Sequence, residues 1–173
     1  MVIWINGAFG VGKTSVARRL VELLDGASLV DPEMLGGVLQ RLLPRRPRDF
    51  QDMPAWRRGT VRAVRIASRI RGCIVVPMTL VAPAYFQEVV GTLRRHEDVR
   101  HFMLLASADA IAARLRLRGS SGWAIEQIDR CTAVQSEPMF ARHIWTEGKD
   151  IEAIAGEIAG LLERGEDRSQ EFP

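Results

Sequence analysis

Hydrophobic positions along the chain switch between two periods. Four short runs, Val2-Ile3-Trp4-Ile5, Ser28-Leu29-Val30, Cys73-Ile74-Val75-Val76 and His101-Phe102-Met103-Leu104-Leu105, are apolar almost without a break. Such runs predict strands buried on both faces, as in a parallel sheet, and His143-Ile144-Trp145 predicts a fifth, shorter one. Between them the apolar positions recur every three or four residues. Val16, Ala17, Leu20, Leu23 and Leu24 define one helical stripe; Met34, Leu35, Val38, Leu39 and Leu42 define a second. Phe86, Val89, Val90 and Leu93 make another, and Ile151, Ile154, Ile158, Leu161 and Leu162 the last. Pro54 to Arg71, Asp109 to Arg118 behind a Ser107 cap, and Trp123 to Gln135 also read as helices.

Punctuation supports these bounds. Asp25-Gly26 and Gly72 stop helices, Pro32, Pro54 and Pro83 open them, and the proline-rich Pro44 to Asp49 is a loop. Gly119-Ser120-Ser121-Gly122 is hinge-like, and the polar tail from Glu166 to Pro173 is expected to fray. Alternating strands and helices without repeat or linker predict one three-layer α/β domain over residues 1–173.

Composition changes this picture little. With 47% hydrophobic and 26% charged residues among 173, the chain suits a single globular domain. Only Lys13 and Lys149 are lysines, so 22 of the 24 basic residues are arginines, and Lys13 stands out. Ten arginines against Asp49 and Asp52 lie between Arg41 and Arg71. Arg58, Arg62, Arg65 and Arg69 fall on one stripe of one helix, which reads as a solvated face, and no interleaved aromatics suggest a nucleic-acid platform. Cys73 and Cys131 lack metal-ligand spacing and imply no oxidising compartment. The apolar run from Cys73 to Phe86 is too short to cross a bilayer and contains Pro77 and Pro83; a strand stands where a signal peptide would. A cytoplasmic protein is expected.

The chemistry concentrates behind the first strand. Gly7-Ala8-Phe9-Gly10-Val11-Gly12-Lys13-Thr14 fits G-x-x-x-x-G-K-[ST], with a strand before it and a helix from Ser15 after it. Glycine backbones let consecutive amides turn inward around phosphate oxygens, and the helix N-terminus adds free N–H groups. Lys13 is placed to reach the β- and γ-phosphates and Thr14 to ligate Mg²⁺, which predicts ATP with Mg²⁺ as cofactors.

Asp31 follows the second strand, on the side where open α/β sheets bind ligands, and can hold a Mg²⁺-bound water or accept the acceptor hydroxyl's proton. Glu33 either joins it at the substrate or serves as the acidic residue of a helix start. No acid follows Val76, where Pro77-Met78-Thr79 stands. Arg114, Arg118 and Arg130 flank the hinge-like segment and can close over a triphosphate; Arg118 and Arg130 are the stronger catalytic candidates. Phe50, Gln51, Trp56, Arg57 and Thr79, with Gln127, are the candidate acceptor pocket, Trp56 serving equally well as core packing.

Several blocks, in order to about residue 131, carry a resemblance. They are Ile3 to Thr14, Asp31-Pro32-Glu33, Phe50-Gln51 with Pro54-x-Trp56-Arg57, Val76-Pro77-Met78-Thr79, and Ser121-x-Trp123-Ala124 with Gln127-Ile128-Asp129-Arg130-Cys131. The chain is similar to the tunicamycin resistance proteins of the TmrB type, themselves similar to nucleoside- and shikimate-kinase-like phosphotransferases. The resemblance implies a P-loop kinase-like fold with five parallel strands ordered 2-3-1-4-5. It implies a substrate-binding helical region at about 33–71 and a lid at about 114–135. It matches Asp31 to the strand-end carboxylate of such kinases, and Arg114 and Arg118 to the arginines that begin the lid.

A tunicamycin-like nucleoside antibiotic is the implied ligand. The implied function is ATP-dependent phosphotransfer to an alcohol of that drug, giving antibiotic resistance. Sequestration of the drug without chemistry, or a metabolic nucleoside or sugar kinase, are the alternatives. Some members carry a C-terminal extension associated with membrane attachment; here the last helix reads as core packing. The sequence carries no signal for oligomeric state.

Overall fold

The computed structural model describes residues 1–33, 49–120, 122–135, 137–140 and 142–165. The helix expected through Met34 to Leu42, most of the proline-rich loop and the tail lie outside the described residues. Strands β1 (Val2–Gly7), β2 (Ala27–Leu29), β3 (Cys73–Pro77), β4 (Val99–Leu105) and β5 (His143–Trp145) form one sheet in the order β2-β3-β1-β4-β5. Every neighbouring pair is parallel, so the expected order and direction hold.

β1 is central and wholly buried, which is why its sequence shows no polar–apolar alternation. Its side chains still alternate between two cores. Ile3 and Ile5 pack with Val16, Leu20, Phe102, Ile154 and Ile158. Val2 and Trp4 pack with Trp56, Val64, Phe86, Leu93 and Met103. The first core lies under α1 (Lys13–Leu23) and α7 (Ile151–Glu163); the second lies under α2 (Pro54–Arg71) and α3. α3 starts as Pro83–Phe86, loosens into a π-type turn over Gln87–Gly91 and ends in Thr92–Arg94.

The remaining helices sit at the carboxyl ends of the strands. α4 (Ala108–Leu117) is capped by the Ser107 hydroxyl, which accepts the Ala110 N–H at 3.2 Å. It ends in a left-handed glycine stop: Gly119 has φ 61°, and the Ser120 N–H reaches back to the Leu115 carbonyl at 3.0 Å. The expected single helix from Trp123 to Gln135 is two, α5 (Gly122–Glu126) and α6 (Ile128–Val134), broken where Gln127 adopts φ −83°, ψ −9°. Periodicity alone does not reveal the break, because Ala124, Ile128 and Cys131 are all buried on one continuous stripe. In the last helix Ile154 and Ile158 are core, whereas Ile151 is 37% exposed.

The arginine stripe of α2 faces outward. Arg58, Arg62 and Arg69 are exposed, and half-buried Arg65 pairs with Glu97 at 3.6 Å. No helix among the described residues is long and apolar enough to cross a membrane.

Candidate active site

The loop between β1 and α1 owes its shape to two close approaches. Gly7 has φ 146°, and a Cβ there would lie 2.7 Å from the Leu104 carbonyl oxygen and 2.9 Å from a Val11 methyl. Gly10 has φ 82°, and a Cβ there would lie 2.7 Å from Leu115 Cγ on α4. Only glycine fits either place. Past them, the amides of Gly12, Lys13, Thr14 and Ser15 have no acceptor among the described residues, the ready-made anion site of a helix start.

Lys13 is 7% exposed, and its Nζ donates to the Ala8 carbonyl at 2.9 Å within the loop. Burial lowers its pKa to about 8. Glu33 opposes that shift most, Cys131 and Asp31 less, and the Arg118 charge deepens it. Lys13 therefore feels the charges of Glu33 and Asp31 after β2 and of Arg118 at the end of α4 together. Phe9, at the loop's tip, meets Trp123 of α5 edge-on with ring centroids 5.0 Å apart, and the Lys13 ammonium is 5.6 Å from its ring.

The acceptor side is a wall of side-chain bonds. Asp31 Oδ1 accepts the Glu33 N–H at 2.9 Å, fixing the turn after β2, and Oδ2 stays unbonded among the described residues. Burial raises the Glu33 pKa, Lys13 pulls it down, and Asp31 and Asp49 push it up again. Gln51 is 2% exposed, donates Nε2 to the Thr79 carbonyl at 2.8 Å, and leaves Oε1 without a partner. The Thr79 hydroxyl is likewise buried and unbonded. Phe50 keeps a half-buried ring against Trp56, centroids 5.0 Å apart.

Two expected pocket residues are committed elsewhere. Trp56 has no exposed surface: its indole belongs to the core, and its Nε1 donates to the Pro32 carbonyl at 3.1 Å. The stacking face expected of it is replaced by a role in holding the Asp31–Glu33 turn. Arg57 donates Nε to Glu88 and Nη1 to the Gln51 carbonyl, each at 2.6 Å, and lies 4.3 Å over the Tyr85 ring. Its guanidinium braces the wall from behind. Gln127 is half-buried at the junction of α5 and α6, and its side chain makes no hydrogen bond among the described residues.

The arginines divide the site between them. Arg114 donates to the Val11 carbonyl at 3.3 Å and to the Thr146 hydroxyl at 3.0 Å, tying the loop to the segment after β5. Arg118 is exposed at the end of α4. Both line a groove of about 230 Å³ with Gly10, Gly12, Thr146, Lys149 and Ile151, on the loop's flank away from Asp31. Arg130 instead approaches Asp49 Oδ2 at 3.5 Å, which places it on the acceptor side.

Sequence reasoning missed three contributors. Asn6 accepts the Gly7 and Leu80 N–H groups and donates to the Leu80 carbonyl, each at 2.9 Å. A lone polar residue inside an apolar strand run was the available signal. Asp49 is 8% exposed and caps the turn Phe50–Asp52 by accepting the Gln51 N–H at 2.9 Å. Its signal was a capping residue at the end of a loop. Thr146, buried beside Arg114, had none beyond following β5.

The donor set suits a magnesium nucleotide. Thr14 is exposed in the first turn of α1, and among the described residues its hydroxyl and one Asp31 carboxylate oxygen make no bond. Mg²⁺ is ordinarily held by one or two such groups together with phosphates and waters.

Central β1, the glycine loop and the sheet order define a P-loop protein of the kinase-like fold. A family model described as an AAA domain matches residues 2–138. The structure of the Deinococcus radiodurans tunicamycin resistance protein is 32% identical, with a TM-score of 0.81 over 93% of this chain and 94% of that one. The chain belongs to this family. A gluconokinase from Sinorhizobium meliloti (19% identical, TM-score 0.70, 95% and 93% covered) and a shikimate kinase from Bacteroides thetaiotaomicron (17%, 0.65, 94% and 98%) share the fold. No curated protein sequence matches the chain.

Proposed function

We propose that the protein is a cytoplasmic, ATP-dependent phosphotransferase acting on a hydroxyl of a tunicamycin-like nucleoside antibiotic. The observation that carries this reading is the loop itself: Gly7 and Gly10 shape it, buried Lys13 is threaded through it, and Asp31 follows the carboxyl end of β2 on the same edge of the parallel sheet from which the loop leaves β1. The resistance protein from Deinococcus radiodurans, similar over almost the whole chain, supports the choice of drug.

In this reading the loop amides and Lys13 hold the β- and γ-phosphates, and Thr14 would hold Mg²⁺, which screens phosphate charge when bound. Asp31 orients the attacking hydroxyl or takes its proton. Phe50, Gln51 and Thr79 line the acceptor, with Glu33 at its edge. Arg118 contributes positive charge at the transferring phosphoryl, where negative charge develops. Arg114 secures the nucleotide side of the loop, and Arg130 the acceptor side of the lid.

The test is transfer of labelled γ-phosphate from ATP to tunicamycin. Protein that binds both ligands and yields no phosphorylated drug sinks the proposal. A second reading, sequestration without chemistry, is favoured by one feature: β3 exits through Pro77-Met78-Thr79 with no carboxylate. Asp31→Asn separates the two. Resistance that survives it while Lys13→Ala abolishes it is binding, and loss in both is catalysis. Faster turnover of ordinary nucleosides or sugars than of the drug would make the protein a metabolic kinase.

A further inference from the structure

The phosphate loop and the acceptor wall meet at one side chain. Asn6 is the penultimate residue of β1, is fully buried, and precedes the first residue of the loop. Its Oδ1 takes two N–H groups at once, from Gly7 and from Leu80, and its Nδ2 returns a bond to the Leu80 carbonyl. A carboxamide has two donors and two acceptor positions, so three of the four are engaged in holding two segments together.

From Leu80 the connection continues in single covalent or hydrogen-bond steps. The neighbouring Thr79 carbonyl accepts Gln51 Nε2 at 2.8 Å, and the Gln51 N–H is held by Asp49 at 2.9 Å. Arg57 fastens the Gln51 carbonyl from the other side at 2.6 Å. At the loop end Leu104 and Val11 stand where a Cβ on Gly7 would be, so the backbone there packs closely against both. At the wall end two buried polar atoms, Gln51 Oε1 and the Thr79 hydroxyl, have no partner among the described residues, so the wall holds bonding capacity that a small rearrangement would engage.

We infer that Asn6 is a positioning residue that transmits occupancy of the phosphate loop to the acceptor wall, so that bound nucleotide orders Thr79 and Gln51 before the acceptor arrives. This rests on the nucleotide-binding part of the function proposed above. Its physical content is a coupling free energy between two sites, carried by packed elements with named bonds.

Backbone hydrogen exchange on the full chain tests it, with a non-hydrolysable ATP analogue and Mg²⁺ as the probe and no acceptor present. In the unsubstituted protein the analogue should slow exchange in the loop, and also at residues 78–81 and 49–52 by about two- to thirtyfold. The lid is a poor reporter, since Phe9 touches Trp123 directly. In Asn6→Ala the loop should still gain protection from the analogue, whereas residues 78–81 and 49–52 should not. Gln51→Leu cuts the path further along and serves if Asn6→Ala does not fold: protection should then reach 78–81 and stop short of 49–52.

Equal protection of the wall with and without these substitutions, or none in the unsubstituted protein while its loop is protected, overturns the inference and leaves nucleotide binding standing. No protection of the loop itself overturns nucleotide binding, and the inference with it.

Discussion

The two halves of the crevice are built from different materials. The nucleotide half is backbone: amides of Gly12 to Ser15, a loop pinned by two glycines, and one lysine threaded through it. The acceptor half is side chain: Asp31, Glu33, Asp49, Gln51 and Thr79, held by Trp56 and Arg57 from behind. A backbone cradle recognises what all nucleoside triphosphates share. A side-chain wall changes its preference with each substitution. On the function proposed above, the loop would set the class of reaction and the wall the molecule on which it is performed.

The sharpest way to separate the halves is Asp31→Asn. It keeps the shape and the bond to the Glu33 N–H while removing the charge. If Asp31 handles the acceptor proton, transfer to tunicamycin should fall by about 10²–10⁴-fold. ATP affinity measured by calorimetry should stay within about threefold, because the cradle is main chain. A comparable loss in ATP affinity would mean that Asp31 belongs to the nucleotide half through its metal.

Gly7→Ala attacks the backbone half. Its Cβ would meet the Leu104 carbonyl at 2.7 Å from a backbone at φ 146°. Overpacking and strain together should cost about 3 kcal/mol, read as a lower midpoint in urea unfolding with unchanged slope. Nucleotide binding should weaken with it. An alanine tolerated within 1 kcal/mol, on the order of an ordinary surface change, would mean that the loop's geometry is not imposed by β4.

Lys13 lets pH test the same half. Its pKa is lowered to about 8, chiefly by burial. Below that pH it is charged in both the folded and the unfolded chain, and folding bears the full desolvation cost. As pH rises from about 8 towards 10.5, the ordinary value of a free lysine, the folded chain binds fewer protons than the unfolded one, so stability increases across that window. Phosphate binding needs the charged form and runs the other way: ATP affinity should be about tenfold weaker at pH 9 than at pH 7. Lys13→Met should flatten both profiles. A profile that stays flat to pH 10 in the unsubstituted protein would show that the charge is not desolvated there.

The same division governs what the amino-acid sequence discloses. Main-chain features leave local marks: Gly7, Gly12 and Lys13 within one loop, Ser107 before a helix, an uninterrupted apolar β1. The alternation of strands and helices followed from such marks and the strand order from the resemblance, and both hold; the break at Gln127 left no such mark. The wall is built from bonds between distant residues, Gln51 to Thr79, Arg130 to Asp49 and Trp56 to Pro32, and such bonds have no local signature. Asp49 read as loop, Asn6 as part of a lead-in, and Trp56 as an even choice between stacking and packing. Burial decided that last question, and burial depends on the whole fold rather than on neighbours in sequence.

Trp56→Phe sharpens the comparison with the smallest change. Phenylalanine keeps a ring against Phe50 but loses the N–H that the Pro32 carbonyl accepts at 3.1 Å and part of the buried indole volume, whose cavity adds to the cost. One neutral hydrogen bond lost from a buried carbonyl should cost about 1–2 kcal/mol, or about 2–4 °C per kcal/mol in thermal midpoint for a domain of this size. The functional consequence should be one-sided. Pro32 lies between Asp31 and Glu33, so loosening it raises the acceptor KM, whereas the loop's amides and the ATP Kd are untouched. If both constants move together, the Asp31–Glu33 turn is coupled to the loop through β3 rather than held by Trp56. The boundary between the two halves would then lie nearer to Asp31 than the hydrogen bonds suggest.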